Sequence, residues 1–250
     1  MRLALLSDIH GNHVALDAVL DDVTRCAPVD AVVNLGDSYY GPLWPRETRQ
    51  RLDTLGAWTI RGNQDRELID PPAAAWNANA TLRYDVEQLG ADAIDALRTL
   101  PAAAWLSDEV YACHGTPDSD TEYLLDDVAG GEPRQRSPAA IAAQLAGINA
   151  MLIVCGHSHI PRAVPLDDGR LIVNPGSVGL PAYDDRLPLP HRMQTGTPQA
   201  RWALVERDAA SSCWQAQLRA VDYDHERAAR QAMSQQRPDW AAWLRSGRAG

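Results

Sequence analysis

Seven residues between positions 8 and 159 carry side chains suited to binding hard or borderline cations: Asp8, His10, Asp37, Asn63, His114, His157 and His159. Asp8 and His10 stand one residue apart, and on an extended chain positions i and i+2 point to the same side. A D-x-H pair is a weak signal, since roughly 0.7 such matches arise by chance at this composition. Gly156-His157-Ser158-His159 is a strong one, with about 0.01 chance matches. It directly follows the apolar run Met151 to Cys155, which contains β-branched Ile153 and Val154, so both imidazoles would emerge just past a rigid strand. His114-Gly115, Gly36-Asp37 and Gly62-Asn63 repeat that placement, although each alone reads as a turn residue. Together the seven supply imidazole, carboxylate and amide ligands with no thiolate, a mixture that favours Mn²⁺, Fe²⁺/Fe³⁺ or Zn²⁺ over Ca²⁺. They exceed the needs of one tetrahedral ion and suit two divalent metal ions about 3.5 to 4 Å apart that share a bridging carboxylate.

The elements that must position these residues are legible as a repeated grammar. Apolar runs at 3–6, 31–35, 58–60, 110–113, 151–155 and 171–173 each end in a polar loop: Ser7-Asp8, Gly36-Asp37, Arg61-Gly62-Asn63, His114-Gly115, Gly156-His157 and Asn174-Pro175-Gly176. In open α/β sheets, sites form outside the carboxyl ends of strands, so these six loops could converge on one crevice. The apolar positions Val14, Leu16, Val19, Leu20 and Val23 have helical spacing, and helices are predicted at about 45–55, 87–99 and 138–146. Pro45 opens the second of these and Ser137-Pro138 caps the last. Two more strands are predicted at 203–206 and 214–221, joined by a polar turn, with a helix at about 224–236. Segments 116–136 and 181–199, rich in Pro, Gly, Asp and Arg, read as long loops. Alternation of strand and helix gives the α/β class. One domain over 1–250 is expected, with a helical excursion at about 66–100 and a helical tail at about 224–250.

The order D-x-H, G-D, G-N-x-D, H-G, G-H-x-H resembles that of the calcineurin-like metallophosphoesterases, here as Asp8/His10, Gly36/Asp37, Gly62 to Asp65, His114/Gly115 and Gly156 to His159. The resemblance runs over about residues 1–180. It is closest to the small bacterial and archaeal phosphodiesterase branch, which shares the opening Ser7-Asp8-Ile9-His10-Gly11-Asn12 and the turn Asn174-Pro175-Gly176-Ser177. It implies a four-layer α/β/β/α sandwich of two mixed β-sheets flanked by helices. It also implies that Asp8, His10 and His159 bind one metal, that Asn63, His114 and His157 bind the other, and that Asp37 bridges. The implied activity is phosphoester hydrolysis by a hydroxide held between the metals, without a protein nucleophile.

This chain departs from the family pattern at one catalytic position. Many members have His in the third place of G-N-x-D, where it protonates the leaving oxygen and the following Asp orients it; here that place is Gln64. An amide donates a hydrogen bond but delivers no proton near neutral pH, which removes help typically worth ~10² to 10⁴-fold. Asn63, Gln64 and Asp65 are therefore the candidate catalytic segment, Asp65 being equally readable as a helix cap. Of the residues expected near the crevice, Asn12 and Tyr39 rank first as substrate contacts, ahead of Tyr40, Arg61 and Arg186. The spacing of Trp240 and Trp243 points to helix packing and leaves a homo-oligomeric contact open.

The balance of 33 acidic against 23 basic residues, a formal charge of −10, argues against a broad surface that tracks duplex nucleic acid. A small phosphorylated substrate remains compatible, because bound cations reverse the local field inside a pocket. The absence of a C-x-x-C pair, of a signal-peptide core and of a membrane-length apolar run leads to the expectation of a cytoplasmic protein with no membrane partner. Two other functions compete with a phosphodiesterase or phosphatase of small substrates. One is a non-catalytic metal-binding scaffold of the same fold, motivated by Gln64; the other is a protein phosphatase, for which no polypeptide-docking surface is evident.

Overall fold

The computed structural model describes residues 1–71, 73–208 and 213–250. The chain opens with β1 (Arg2–Leu6), α1 (His13–Cys26), β2 (Ala31–Asn34), α2 (Pro45–Leu55) and β3 (Trp58–Thr59). A helical stretch follows: α3 (Asn63–Ile69), α4 (Ala73–Ala78), α5 (Ala80–Leu89) and α6 (Ala91–Thr99). Next come β4 (Ala103–Ser107), β5 (Val110–Cys113), β6 (Asp126–Asp127), β7 (Arg134–Gln135), α7 (Pro138–Gln144), β8 (Leu152–Val154), β9 (Arg162–Pro165) and β10 (Leu171–Asn174). The chain ends with β11 (Ala182–Asp185), β12 (His191–Gln194), β13 (Ala200–Arg207), β14 (Trp214–Val221), α8 (His225–Ser234) and α9 (Pro238–Ser246).

Period-2 alternation in the short apolar strands builds the layers. Leu3 and Leu5 of β1 join Val33, Val110, Leu152, Val154, Val173 and Val205 in an apolar layer between two sheets. Their neighbours Ala4 and Leu6 turn the other way, onto the Leu16–Val19–Val23 stripe of α1. Ile153 and Ile172 likewise turn away from the shared layer, onto Ile141 and Leu145 of the α7 region. Each central strand is thus buried on both faces, and the result is two five-stranded mixed sheets flanked by helices, in the orders β14-β13-β1-β2-β3 and β4-β5-β8-β10-β9. Within them β1, β2 and β3 run parallel, as do β5, β8 and β10, which sends their carboxyl ends and following loops to common edges.

Some elements differ from the expectation. The predicted helix at 87–99 is broken by Gly90, which takes φ 75°, and becomes the end of α5 and all of α6. The supposed loops at 116–136 and 181–199 contain the hairpins β6–β7 and β11–β12. Edge strands β4 and β9 gave no clear apolar signal; β9 ends in Pro165, whose missing N–H is tolerated on a sheet edge. Residues 209–212 of the turn predicted between β13 and β14 lie outside the described residues. Trp240 and Trp243 are buried among α5, α8 and α9, in keeping with helix packing. No helix among the described residues is long and apolar enough to cross a membrane.

Candidate metal centre

The loop after β1 is zipped to the loop after β2 by backbone bonds from Asp8 N to Gly36 O, His10 N to Asp37 O and Gly11 N to Ser38 O, all 3.0 Å. Gly156 N reaches His114 O at 2.8 Å and Gly179 N reaches Asp8 O at 3.0 Å, which draws the second sheet's loops to the same place. Asp8, His10, Asp37, His157 and His159 all occupy the left-handed region, with φ from 52° to 66°. For residues with a Cβ that conformation costs about 1 to 2 kcal/mol each. Among described non-glycine residues the sole other case is Gln236, so the strain is concentrated on candidate ligands, as it is at functional sites. Close approach also demands glycine here: a Cβ on Gly62 would collide with Asp37 Oδ1.

Two groups of ligand atoms result, Asp8/His10/His159 and Asp37/His114/His157, each with its atoms within 4.8 Å of one another. Asn63 Oδ1 adds to the second group, 3.1 Å from His114 Nε2. Each imidazole is oriented by a main-chain carbonyl on its other nitrogen. His10 Nδ1 meets Tyr40 O at 2.9 Å, His114 Nδ1 meets Leu35 O at 2.7 Å, His159 Nδ1 meets Leu180 O at 2.7 Å, and His157 Nε2 meets Thr121 O at 3.0 Å. Such outer bonds orient each ring and turn its other nitrogen inward. His10 and His159 turn their Nε2 atoms towards each other across 3.1 Å, an arrangement that needs a cation or a proton between them. Asp8 Oδ1 is buried without a hydrogen-bond donor and lies 3.3 Å from His159 Nε2 and 3.9 Å from His114 Nε2. These converging lone pairs, with hard and borderline donors, fit divalent cations.

The site's electrostatics point the same way. Burial, with His159 beside it, pushes His10 down to about 4, and burial with His114 nearby does the same to His157. Burial also opposes a charge on His114, but the carboxylates of Asp37 and Asp8 outweigh it and raise that ring to about 10. Asp8 and Asp37 stay low despite burial, Asp8 chiefly because of His159 and Asp37 because of His114. In the cation-free fold the Asp8 and Asp37 carboxylates thus face the His114 imidazolium.

Five of the seven side chains, His10, Asp37, Asn63, His157 and His159, line a cleft of about 270 Å³, while Asp8 and His114 are fully buried beside them. Residues 1–189 match the model of the calcineurin-like phosphoesterase superfamily domain. The chain belongs to this superfamily. A metallophosphoesterase from Sphaerobacter thermophilus is similar at 24% identity over 98% of each chain, with a TM-score of 0.74. A hypothetical protein from Pyrococcus horikoshii OT3 is similar at 20% identity over 100% of this chain and 99% of the other, with a TM-score of 0.77. Both likenesses concern the fold, and they extend past residue 189 through the C-terminal helices. No curated protein sequence matches significantly.

The remaining predicted residues separate by position. Gln64 lines the cleft; its backbone N–H donates to Asp37 Oδ1 at 2.9 Å and its buried Oε1 has no partner. Asp65, predicted in the catalytic segment, faces away from the cleft. Its carboxylate accepts from Asp37 N at 2.7 Å, Gly62 N at 3.0 Å and Ser38 N at 3.1 Å, so it satisfies the N–H of the α3 N-cap residue and anchors the Asp37 turn. Burial, then the Asp37 carboxylate, raises Asp65 to about 7 against the N–H donors of Gly62 and Ser38.

The two expected substrate contacts are not brought to the cleft. Asn12 is fully buried: Oδ1 caps α1 through Ala15 N, while Nδ2 donates to Gly179 O and the Tyr223 hydroxyl. Its amide does the work of joining loops, and three bonds leave it nothing for substrate. Tyr39 lines a separate small cavity with Asn34, Arg49, Leu52 and Asp53. Tyr40, the next residue, does reach the cleft, whereas Arg61 and Arg186 do not line it. The opposite wall was missed by sequence reasoning: Leu180 stands just before, and Tyr183, Asp184 and Asp185 within, a segment read as loop, and Arg237, Trp240 and Trp243 come from the tail. The Trp spacing was the available signal, and it reported packing because both rings also pack.

Proposed function

We propose that this superfamily member is a metal-dependent phosphoesterase, first of all a phosphodiesterase, acting on a small organic phosphate or nucleotide with two divalent ions. The observation that carries this reading is the convergence of the unpartnered Asp8 Oδ1 with the facing Nε2 atoms of His10 and His159, beside the Asp37/His114/His157 group. A pair of such ions acidifies water and neutralises phosphate oxygens, chemistry that needs no protein nucleophile. Asp37, which belongs to one group and whose main chain is bonded to the His10 turn, would be the carboxylate shared by both ions. Carbonyl-pinned rings hold the ligands without reorganisation, which is how preorganised sites lower barriers. The wall formed by Tyr183, Trp240 and Trp243 limits the cleft to small substrates. Gln64 can donate one hydrogen bond to a phosphate or leaving oxygen but no proton.

The test is a hydrolysis panel of mononucleotides, cyclic nucleotides, dinucleoside polyphosphates and aryl phosphates with protein reconstituted in Mn²⁺, Zn²⁺ or Fe²⁺. Turnover of one class well above metal-only controls is expected. Flat rates with metal demonstrably bound would replace this reading with a non-catalytic metal-binding scaffold, the alternative that Gln64 favours.

A further inference from the structure

Asp85 lies in α5, distant in sequence from every candidate ligand, and is fully buried. Its Oδ2 accepts the Gly41 N–H at 3.0 Å, while Oδ1 has no partner. A buried carboxyl with an unpartnered oxygen costs stability that an apolar side chain there would not. Its one hydrogen bond therefore needs a reason. The Gly41 N–H belongs to the same peptide group as the Tyr40 carbonyl, and that carbonyl is the acceptor, at 2.9 Å, that orients His10 Nδ1. An acceptor at the N–H end of an amide polarises it and strengthens the bond accepted at its C=O end. The line Asp85 Oδ2, Gly41 N–H, Tyr40 C=O and His10 Nδ1–H is continuous. Trp240 confines the same peptide from the tail: a Cβ on Gly41 would come within 2.7 Å of its ring, and the indole meets the His10 ring edge-on at 5.7 Å.

We infer that Asp85 is a positioning residue for His10, acting through the Tyr40–Gly41 peptide to hold Nε2 on the Asp8/His10/His159 cation site and selectively on that site. The inference rests on the two-cation reading above. The other group is oriented independently, His114 by the Leu35 carbonyl and His157 by that of Thr121. The helical excursion thereby acquires a part in the metal centre.

The experiment is stepwise Co²⁺ binding, followed by calorimetry and visible absorption, with thermal unfolding of the cation-free proteins as a stability control. Asp85→Ala should weaken one binding step about 10 to 100-fold and leave the other unchanged. Asp85→Asn, whose amide oxygen can accept the same N–H, should restore that step. Leu89→Ala, which removes a buried side chain from the same helix without touching the line, should lower the melting temperature yet leave both steps intact. In a His10→Ala background, Asp85→Ala should cause no further loss of affinity. Equal weakening of both steps, the same selective loss in Leu89→Ala, or a full additional loss in the His10→Ala background would each overturn the assignment. Should Asp85→Ala not fold, the His10 Nδ1–H proton resonance is compared in wild type and Asp85→Leu, whose apolar side chain fills the space but accepts no N–H. It should move while that of His159 stays, and coincident His10 signals would overturn the assignment. Absence of Co²⁺ binding to wild type would sink the metal reading itself, whereas two unaltered steps in Asp85→Ala would sink this inference alone.

Discussion

Replacing Asp65 with Ala would leave the N–H groups of Asp37, Ser38 and Gly62 without their acceptor inside the protein. Each unsatisfied buried donor costs about 1 to 3 kcal/mol. The three share one carboxylate, and a water filling the vacated space would recover part of the loss, so the combined cost is about 3 to 5 kcal/mol, the range for breaking a buried network. At about 2 to 4 °C per kcal/mol for a chain of this size, the melting temperature should fall by about 6 to 20 °C. Activity should fall too, because the Asp37 main chain, strained at φ 53°, is held by the 2.7 Å bond to Asp65; about 10 to 100-fold is expected for such an outer support. Asp65→Asn keeps one oxygen for the Asp37 and Gly62 donors and sets its NH₂ against the Ser38 N–H. It should therefore lie between wild type and Ala, about 1 to 3 kcal/mol down. Thermal unfolding of cation-free protein and turnover of loaded protein measure the two effects. Loss of turnover in Asp65→Ala at an unchanged melting temperature would refute this account and return Asp65 to direct chemistry.

Three further outcomes are expected. With Gln64 in the cleft, aryl esters should turn over far faster than alkyl esters, and Gln64→His should narrow that gap, since general-acid help is worth ~10² to 10⁴-fold; a wild type without leaving-group dependence in its chemical step would show another acid at work. His114, near 10 in the cation-free fold against an ordinary 6.5, stabilises that fold fully below about pH 6.5 and loses the contribution as pH rises towards about 10. Unfolding of chelated protein across pH 6 to 10 should show this decline in wild type and not in His114→Gln, and equal slopes would contradict it. Asn12→Ala should cost about 1 to 3 kcal/mol of stability through the lost α1 cap and the orphaned Gly179 carbonyl, with KM unchanged, whereas Asp37→Asn should chiefly lower kcat. A raised KM in a stably folded Asn12→Ala would return that residue to the substrate.

What the chain determines by itself is local. Leu3 to Leu6, Val110 to Cys113 and Leu152 to Val154 alternate or run apolar over a few residues, and each is closed by polar residues that could not stay in a buried strand, so strand, loop and candidate ligand could be located together. The chemistry of the seven candidate ligands is a property of their side chains, and it too was readable before any fold. Tertiary structure decided which neighbours those residues would have. Asn12 looked like a substrate contact because it sits in the ligand loop, yet its direction is set by Gly179 and Tyr223, more than 160 residues away. Tyr39 and Tyr40 are indistinguishable by type, and opposite directions of successive side chains put one in a separate cavity and the other on the cleft. The supports of the site are mostly backbone atoms, the carbonyls of Leu35, Tyr40, Thr121 and Leu180, and every residue has a carbonyl, so no residue type could mark them. Trp240 and Trp243 of the aromatic wall come from a helix that closes on the cleft only after the chain has passed through both sheets. Short-range order follows from side-chain pattern and strand period, which are written in consecutive residues; the supporting contacts depend on packing between segments far apart in the chain, and that exists only once the two sheets have met.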